Sequence, residues 1–346
     1  MLAKLNSCFE KNDGILITSP HNMRYFSGFS GGEGALFITP QKAVLFTDSR
    51  YTEQAEKECK AVAVVEAANW QSAVCDETVG LKSLMFEDKH ISAATYLSFS
   101  EKLSASLVPA EETLEDFRIV KTEAEVEVMA KAEEILCRTF EKMLNFIKPG
   151  ITEKQLAAEI EYNMRLLGAN GTSFDTIAIS GERCSLPHGT PTDKVIENGD
   201  FVTMDFGCRL DGYCSDMTRT VVVGKANPKQ KEIYQIVKDA QLAGLDAIKA
   251  GVCAKDADKA ARDVIENAGY GKYFGHSLGH GVGLLIHEKP TLSSKSEQLL
   301  TENAVVTCEP GIYIPGFGGV RIEDMVCIKE GGNLNLANAT KDLIEI

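Results

Sequence analysis

Two aspartates, Asp205 and Asp216, stand in the stretch Gly199 to Gly224, GDFVTMDFGCRLDGYCSDMTRTVVVG. Apolar and β-branched residues fill both arms and Asp211-Gly212 supplies turn chemistry, so the stretch reads as two paired strands. A turn centred on Leu210-Asp211 sets Asp205 opposite Asp216. One centred on Asp211-Gly212 sets Asp216 opposite Gly207, two residues from Asp205. Side chains repeat every second residue along a strand, so either register puts both carboxylates on one face. Carboxylates that close take up a proton or recruit a cation. One turn aspartate plus one N-cap aspartate is the plainer reading, but both residues lie in strand-like sequence, where aspartate is disfavoured.

Of six histidines, His276, His280 and His287 fall together in GHSLGHGVGLLIHE. Glycines between them permit close backbone approach. A phosphate loop would need a Lys-Ser/Thr pair and a following helix, and neither is present. A lone histidine is usually structural; three in one Gly-rich segment favour ligand or acid–base work. Glu309 follows AVVTC, and Glu323 lies in GVRIEDMV on the strand face of Arg321. Singly each glutamate reads as an edge-strand charge. Together Asp205, Asp216, His280, Glu309 and Glu323 make an oxygen-rich ligand set, suited to a pair of Mn²⁺, Co²⁺, Fe²⁺ or Zn²⁺ ions and unlike a thiolate zinc site. Such a pair activates water near neutral pH and polarises a carbonyl.

The elements that must position these residues fall into two groups. Residues 1–120 alternate strands (GILITS, GALFIT, AVLFTD, AVAVVEA, SLMFED) with helices over 50–59 and 92–104, a small α/β domain. Gly28-Phe29-Ser30-Gly31-Gly32 matches a nucleophile elbow, but a strand follows it where a helix is required, so it reads as a glycine-rich loop. Residues 121–346 form the second domain. A helix over 121–148 opens on Thr122 and Glu125 as a capping box and stops at Pro149-Gly150. Thr152 and Gln155 open another, ending near Gly168. Helices over 228–249 and 254–267 follow, then the strands AVVTCEPG and GVRIEDMVCIKE. The result is an α+β unit of two halves, each a helix pair followed by strands.

Composition sets the outer limits. Apolar content of 44% and charged content of 25% suit a globular protein. A net charge of −14 argues against binding nucleic acid or an anionic membrane. The N-terminus MLAKLNSCFEKNDG has no signal-peptide core, and no apolar run reaches transmembrane length. Ten cysteines without a CxxC pair read as free thiols in a reducing cytoplasm.

The run MDFG…CSDMTRT, HSLGHGVGL…HE, CEPGIY and VRIED resembles the pita-bread metallopeptidases, the methionine aminopeptidase, aminopeptidase P and prolidase group, over residues 121–330. The resemblance implies a pita-bread catalytic domain. It implies two divalent ions, Mn²⁺ first and Co²⁺, Zn²⁺ or Fe²⁺ as alternatives, held by Asp205, Asp216, His280, Glu309 and Glu323. Asp216 and Glu323 would bridge them, and Glu309 would also shuttle a proton. His188 in LPHGTPT matches a substrate-contacting histidine, His287 one that hydrogen-bonds the scissile peptide, and His276 a further active-site histidine. Arg321 matches an arginine that orients carboxylates.

HNMRYFSGFSGGEGALFIT and LFTDSRYTEQAEKE resemble the first domain of aminopeptidase P and prolidase, which methionine aminopeptidases lack. The wording GFSGGEGAL favours aminopeptidase P: release of the residue before proline from short peptides, by a cytoplasmic homodimer. Prolidase, limited to Xaa-Pro dipeptides, is the alternative. Creatinase shares the fold without the metal ligands, and non-catalytic binding modules on the fold have lost ligands and histidines; all are retained here. Leu285 stands where many relatives carry an acidic residue, which bears on substrate preference.

Overall fold

The computed structural model describes residues 2–346. The chain divides into two compact units, Met1–Arg118 and Ile119–Ile346. In the first unit the apolar runs become β1 (Gly14–Ile17), β2 (Ala35–Ile38), β3 (Ala43–Thr47), β4 (Ala63–Glu66), β5 (Ser83–Phe86) and β6 (Ser106–Pro109). They form one mixed sheet in the order β4-β3-β2-β1-β5-β6, with β1 and β2 antiparallel and β5 and β6 parallel to β1 and to each other. Leu16, Phe37, Phe46, Leu84 and Phe86 pack on one face with Val74 and Phe99 from the helices α3 (Trp70–Glu77) and α4 (Ala93–Lys102), which follow α1 (Pro20–Ser27) and α2 (Thr52–Glu58). Sequence reading found the strands up to β5 and missed β6, α1 and α3, which are short and weakly periodic. Gly28 is the left-handed C-cap of α1, its N–H donating to the Arg24 carbonyl. A helix therefore precedes Ser30 where a nucleophile elbow needs a strand.

In the second unit, α5 (Thr113–Asp116) having closed the first, α6 (Glu123–Phe146) and α7 (Glu153–Leu166) start from the Thr122 and Thr152 capping boxes. Such a cap contributes about 1 kcal/mol to each helix start. Two short strands follow, β7 (Gly171–Thr172) and β8 (Ile177–Ser180). Next come β9 (Phe201–Phe206), β10 (Cys208–Leu210), β11 (Tyr213–Cys214) and β12 (Met217–Val222). Val202, Met204, Phe206 and Val221 turn toward α6 and α7. Thr203 and Asp205 alternate with them onto the other face of β9. The second half repeats the plan. Helices α8 (Pro228–Ala247) and α9 (Ala254–Asn267) precede β13 (Gly279–Gly281), β14 (Glu288–Leu292), β15 (Val305–Cys308), β16 (Gly311–Ile314), β17 (Gly318–Arg321), β18 (Asp324–Lys329) and β19 (Gly332–Asn335). Its core joins Ile233 and Val237 of α8 and Ala261 of α9 to Val306, Ile312 and Val320.

Both long hairpins are interrupted, and this corrects the reading of unbroken strands. In the first, Asp211 and Gly212 take φ of 46° and 80°, and the turn centres on them, with Leu210 opposite Tyr213. The register continues to Met217 opposite Phe206 and Thr218 opposite Asp205. Asp216 therefore sits in the gap beside Gly207, not inside a strand. A Cβ on Gly207 would lie 2.1 Å from the Ser215 carbonyl oxygen, so only glycine fits the crossing. In the second hairpin, Cys308 opposes Asp324 and Gly311 opposes Arg321. Between those pairs the chain changes sheets, from β15-β18 to β16-β17. Glu309 and Glu323 occupy the interruption, so Glu323 is not inside a continuous strand with Arg321.

Candidate active site

The gaps in the two hairpins bring the acidic residues together. Asp216, His280 and Glu323 each present a donor atom within 4.8 Å of the others. His280 Nε2 lies 3.3 Å from Glu309 Oε1 and 3.5 Å from Asp216 Oδ2. Its Nδ1 faces the Gly281 carbonyl at 3.1 Å, so Nδ1 holds the proton and the Nε2 lone pair points at the carboxylates. Thr307 Oγ1 accepts from the His280 backbone N–H at 3.0 Å and donates to Glu309 at 3.1 Å.

Arg321 is the cation of the site, its side chain 4% exposed. Its guanidinium binds the Asp205 carboxylate, donates to Thr218 Oγ1 at 3.0 Å and Tyr313 Oη at 2.9 Å, and reaches the Pro187 carbonyl at 3.3 Å. Thr218 Oγ1 in turn donates to Glu323 Oε2 at 2.6 Å. His276 completes the chain. Its Nδ1 lies 2.8 Å from the Ser277 carbonyl, an acceptor, so Nδ1 carries the proton. Its Nε2 then accepts from the Tyr313 hydroxyl at 2.8 Å. Both nitrogens of His276 are thus committed to the protein, which fits it for orienting Tyr313 and Arg321.

Burial among like charges sets the protonation of the metal-free site. Burial and then the charges of Glu323, Asp205 and Glu309 push Asp216 well above the usual carboxylate range. Burial, then Glu309 and Asp205, does the same to Glu323, and burial raises Glu309 to about 7. Burial would lower the Arg321 pKa, but Tyr313, Asp205, Glu323 and Glu309 outweigh it. Burial lowers His276 to about 4 and also lowers His280 and His287. Neighbouring Asp324 behaves oppositely. Burial would raise it, yet Arg219 and Lys341, at 2.7 and 2.6 Å, hold it below the ordinary value. Asp324 is already neutralised; the carboxylates facing the site are not. Asp205 Oδ1 is moreover buried without a hydrogen-bond partner. Hard oxygen donors, an imidazole lone pair and uncompensated negative charge fit divalent cations.

The remaining expected residues gather at the same place. The His287 ring is exposed and lies edge-on to His280, centroids 4.4 Å apart. His188 is exposed on the loop after β8, next to the Pro187 carbonyl that Arg321 reaches. Leu285 contributes main chain: its N–H donates to Glu288 Oε1 at 3.0 Å and its carbonyl accepts from Gly283. Sequence reasoning missed Thr218, Thr307, Tyr313 and Glu133. The last, fully buried on α6 and raised to about 8 by burial, accepts the Asp216 backbone N–H at 2.9 Å. A glutamate at a helix position whose neighbours pack inward was the available signal for it.

Residues 127–330 match the description of metallopeptidase family M24, and residues 9–120 match the creatinase/prolidase N-terminal domain. The chain is 41% identical to the Xaa-Pro dipeptidase of Pyrococcus furiosus, over 99% of each chain. Among solved structures it is similar to a Xaa-Pro dipeptidase from Bacillus anthracis, at 43% identity and a TM-score of 0.97, covering 100% of this chain and 99% of that one. It is also similar to an X-Pro aminopeptidase from Thermotoga maritima, at 38% identity and a TM-score of 0.92, covering 97% and 98%. Among the described residues no helix is long and apolar enough to cross a membrane. With a two-unit fold of this topology and a carboxylate–histidine cluster at its broken hairpins, the chain belongs to metallopeptidase family M24, whose members hydrolyse peptides with divalent metal ions.

Proposed function

We propose that the chain hydrolyses the bond before proline in Xaa-Pro dipeptides. The observation that carries this reading is similarity over both units to proteins named Xaa-Pro dipeptidase, at 41% and 43% identity. The aminopeptidase P preference expected from the first-domain wording has less support, because the named aminopeptidase matches at 38%. The backbone does not separate the two activities: a Pyrococcus furiosus prolidase and the Thermotoga maritima aminopeptidase both match across nearly the whole chain with a TM-score of 0.92.

In this reading Asp205, Asp216, His280, Glu309 and Glu323 hold two divalent ions, with Mn²⁺ the first to test. When bound, the ions supply Lewis acidity that activates water at neutral pH and polarises the scissile carbonyl. Glu309, oriented by Thr307, takes the proton of the attacking water and returns it to the leaving proline nitrogen. That nitrogen carries no N–H, so recognition of the scissile unit falls on its carbonyl. His287, exposed beside His280, donates to that carbonyl in this reading as negative charge develops. Arg321 fixes the Asp205 carboxylate, and Tyr313 and His276 fix Arg321. A cytoplasmic homodimer belongs to the same proposal.

The test is hydrolysis of Ala-Pro against Ala-Pro-Ala by Mn²⁺-loaded protein, with a chelated control. Cleavage of the dipeptide alone is the expected outcome. Cleavage of the tripeptide alone returns the assignment to aminopeptidase P.

A further inference from the structure

The loop that carries His188 spans 181–195 and has almost no apolar core of its own. Leu186, Val195 and His188 are exposed, and Cys184 and Gly189 are its main buried points. It is nevertheless held at both ends by one carboxylate. Glu153, the first residue of α7, is 0% exposed. Its Oε1 accepts from the Ser180 N–H at 2.8 Å and the Ser180 hydroxyl at 3.2 Å, where the loop begins. Its Oε2 accepts from the Thr192 N–H at 2.9 Å and the Thr192 hydroxyl at 2.7 Å, near where the loop ends. Arg183 Nε bridges both oxygens at 3.2 and 3.1 Å, while its NH2 group donates to the Thr190 carbonyl at 2.7 Å. The positive end of the α7 dipole favours a carboxylate at this position, and the Glu153 and Lys154 N–H groups themselves donate to the Lys194 and Thr192 carbonyls, each at 3.1 Å. The loop so clasped presents the Pro187 carbonyl to Arg321 at 3.3 Å, which sets the main chain next to His188 against the site.

We propose that Glu153 is a positioning residue of the active site: by tying Ser180 to Thr192 it fixes the loop in the shape that holds His188 over the substrate. The inference rests on the reading of His188 as a substrate-contacting residue. A charged acceptor is required because the carboxylate receives from two backbone amides, two hydroxyls and a guanidinium, and has no proton to offer. Glutamine at the same place presents an NH2 group toward donors and breaks part of the clasp, leaving Ser180 to its pairing with Val202 and Thr192 to the Lys154 N–H. No metal donor lies on this loop, and Arg321 keeps Asp205, Thr218 and Tyr313 when its Pro187 contact is lost, so releasing the loop loosens His188 and leaves the metal cluster supported.

The experiment compares Glu153→Gln, His188→Ala and their double variant, in Mn²⁺-loaded protein, on whichever of Ala-Pro and Ala-Pro-Ala the parent cleaves. Thr192→Val is the milder second variant, removing one hydroxyl of the clasp and keeping the backbone amide. Metal content and backbone amide exchange over 181–192 are read alongside. Glu153→Gln is expected to lower kcat/KM about 10- to 100-fold, the scale on which misplacing a contact residue acts, with metal content unchanged and exchange faster in the loop. Thr192→Val should shift both readouts in the same direction by less. The double variant should be no worse than His188→Ala alone within about twofold, since one change acts through the other. Additive losses, or parental kinetics in Glu153→Gln, overturn the proposal. If His188→Ala itself cleaves like the parent, the substrate-contact reading fails, and faster exchange in Glu153→Gln then marks the clasp as structural only. Loss of metal from Glu153→Gln also overturns it, since the role would then be general support of the fold.

Discussion

Thr218→Val isolates one hydroxyl at the centre of the site. Thr218 is completely buried on β12, opposite Asp205, and its hydroxyl donates to Glu323 at 2.6 Å while accepting from Arg321 at 3.0 Å. Valine has nearly the same shape, so no cavity opens; what is lost is two hydrogen bonds to charged partners. Each such bond contributes about 1.5–3 kcal/mol, and leaving its partner buried and unmet adds desolvation. Arg321 keeps Asp205 and Tyr313, which limits its share of the loss. The two bonds together span about 3–6 kcal/mol, and with the Arg321 share limited the expected destabilisation lies at the low end, about 3 kcal/mol, or about 6–12 °C in the melting of a unit this large. Freed from its donor, Glu323 no longer holds its oxygen toward Asp216 and His280, and metal affinity should fall about 10- to 100-fold. Chelator competition and thermal unfolding measure the two effects. Thr218→Ser keeps the hydroxyl and should recover most of the metal affinity. A valine variant that binds metal and melts like the parent would refute the argument that this hydroxyl orients Glu323.

Two further outcomes follow from the geometry. His287→Ala should retain both metal ions but lose most of kcat, because its contact strengthens as charge develops on the carbonyl; an unchanged kcat with only a raised KM would remove it from that role. In the chelated protein, Glu309 and Glu133 titrate near 7 and 8, and Asp216 and Glu323 are also raised. The unfolded chain has released those protons by about pH 5, so the native state binds more protons and loses stability as pH rises. His276, His280 and His287, lowered by burial, act in the opposite sense below their ordinary value of about 6.5. The clean window is therefore about pH 7 to 8, where denaturant unfolding of the metal-free protein should show falling stability and Mn²⁺ should flatten the slope to the part that Glu133 contributes; rising stability there would contradict the raised carboxylates.

Much of this arrangement is legible from residue type and spacing. Thr122-x-x-Glu125 and Thr152-x-x-Gln155 set the helix starts because a capping box is a local device, satisfied within one turn. Asp205 and Asp216 announce themselves because strands of Val, Phe and Met exclude unpaired carboxylates. The strand breaks are less legible. Residues 319–330 read as one run, since Val320, Ile322 and Met325 to Ile328 dominate it; the change of sheet at Ile322-Glu323 depends on partners that Cys308 and Gly311 supply from distant sequence. The dipeptide or longer-peptide preference depends on what closes the far end of the substrate site, and no short motif encodes it.

The least legible residues are those whose function lies in what stands across from them. Thr218 and Thr307 look like ordinary strand formers, because threonine suits a pleated surface whatever its hydroxyl does. Their roles appear only when registry sets Thr218 between Arg321 and Glu323, and Thr307 between His280 and Glu309. Glu153 carries the same lesson further. In sequence it is an acidic residue in the first turn of a helix, where the peptide dipole alone accounts for it. In the fold the dipole is a small part of its surroundings: full burial would make an unpaired carboxylate costly, and five donors from Ser180, Arg183 and Thr192 offset that cost. A carboxylate that needed only the dipole would sit as well on the exposed side of the turn, at N2 or N3. Its burial against Ser180 and Thr192 is therefore evidence that the loop's shape, and not the helix start, is what this residue serves.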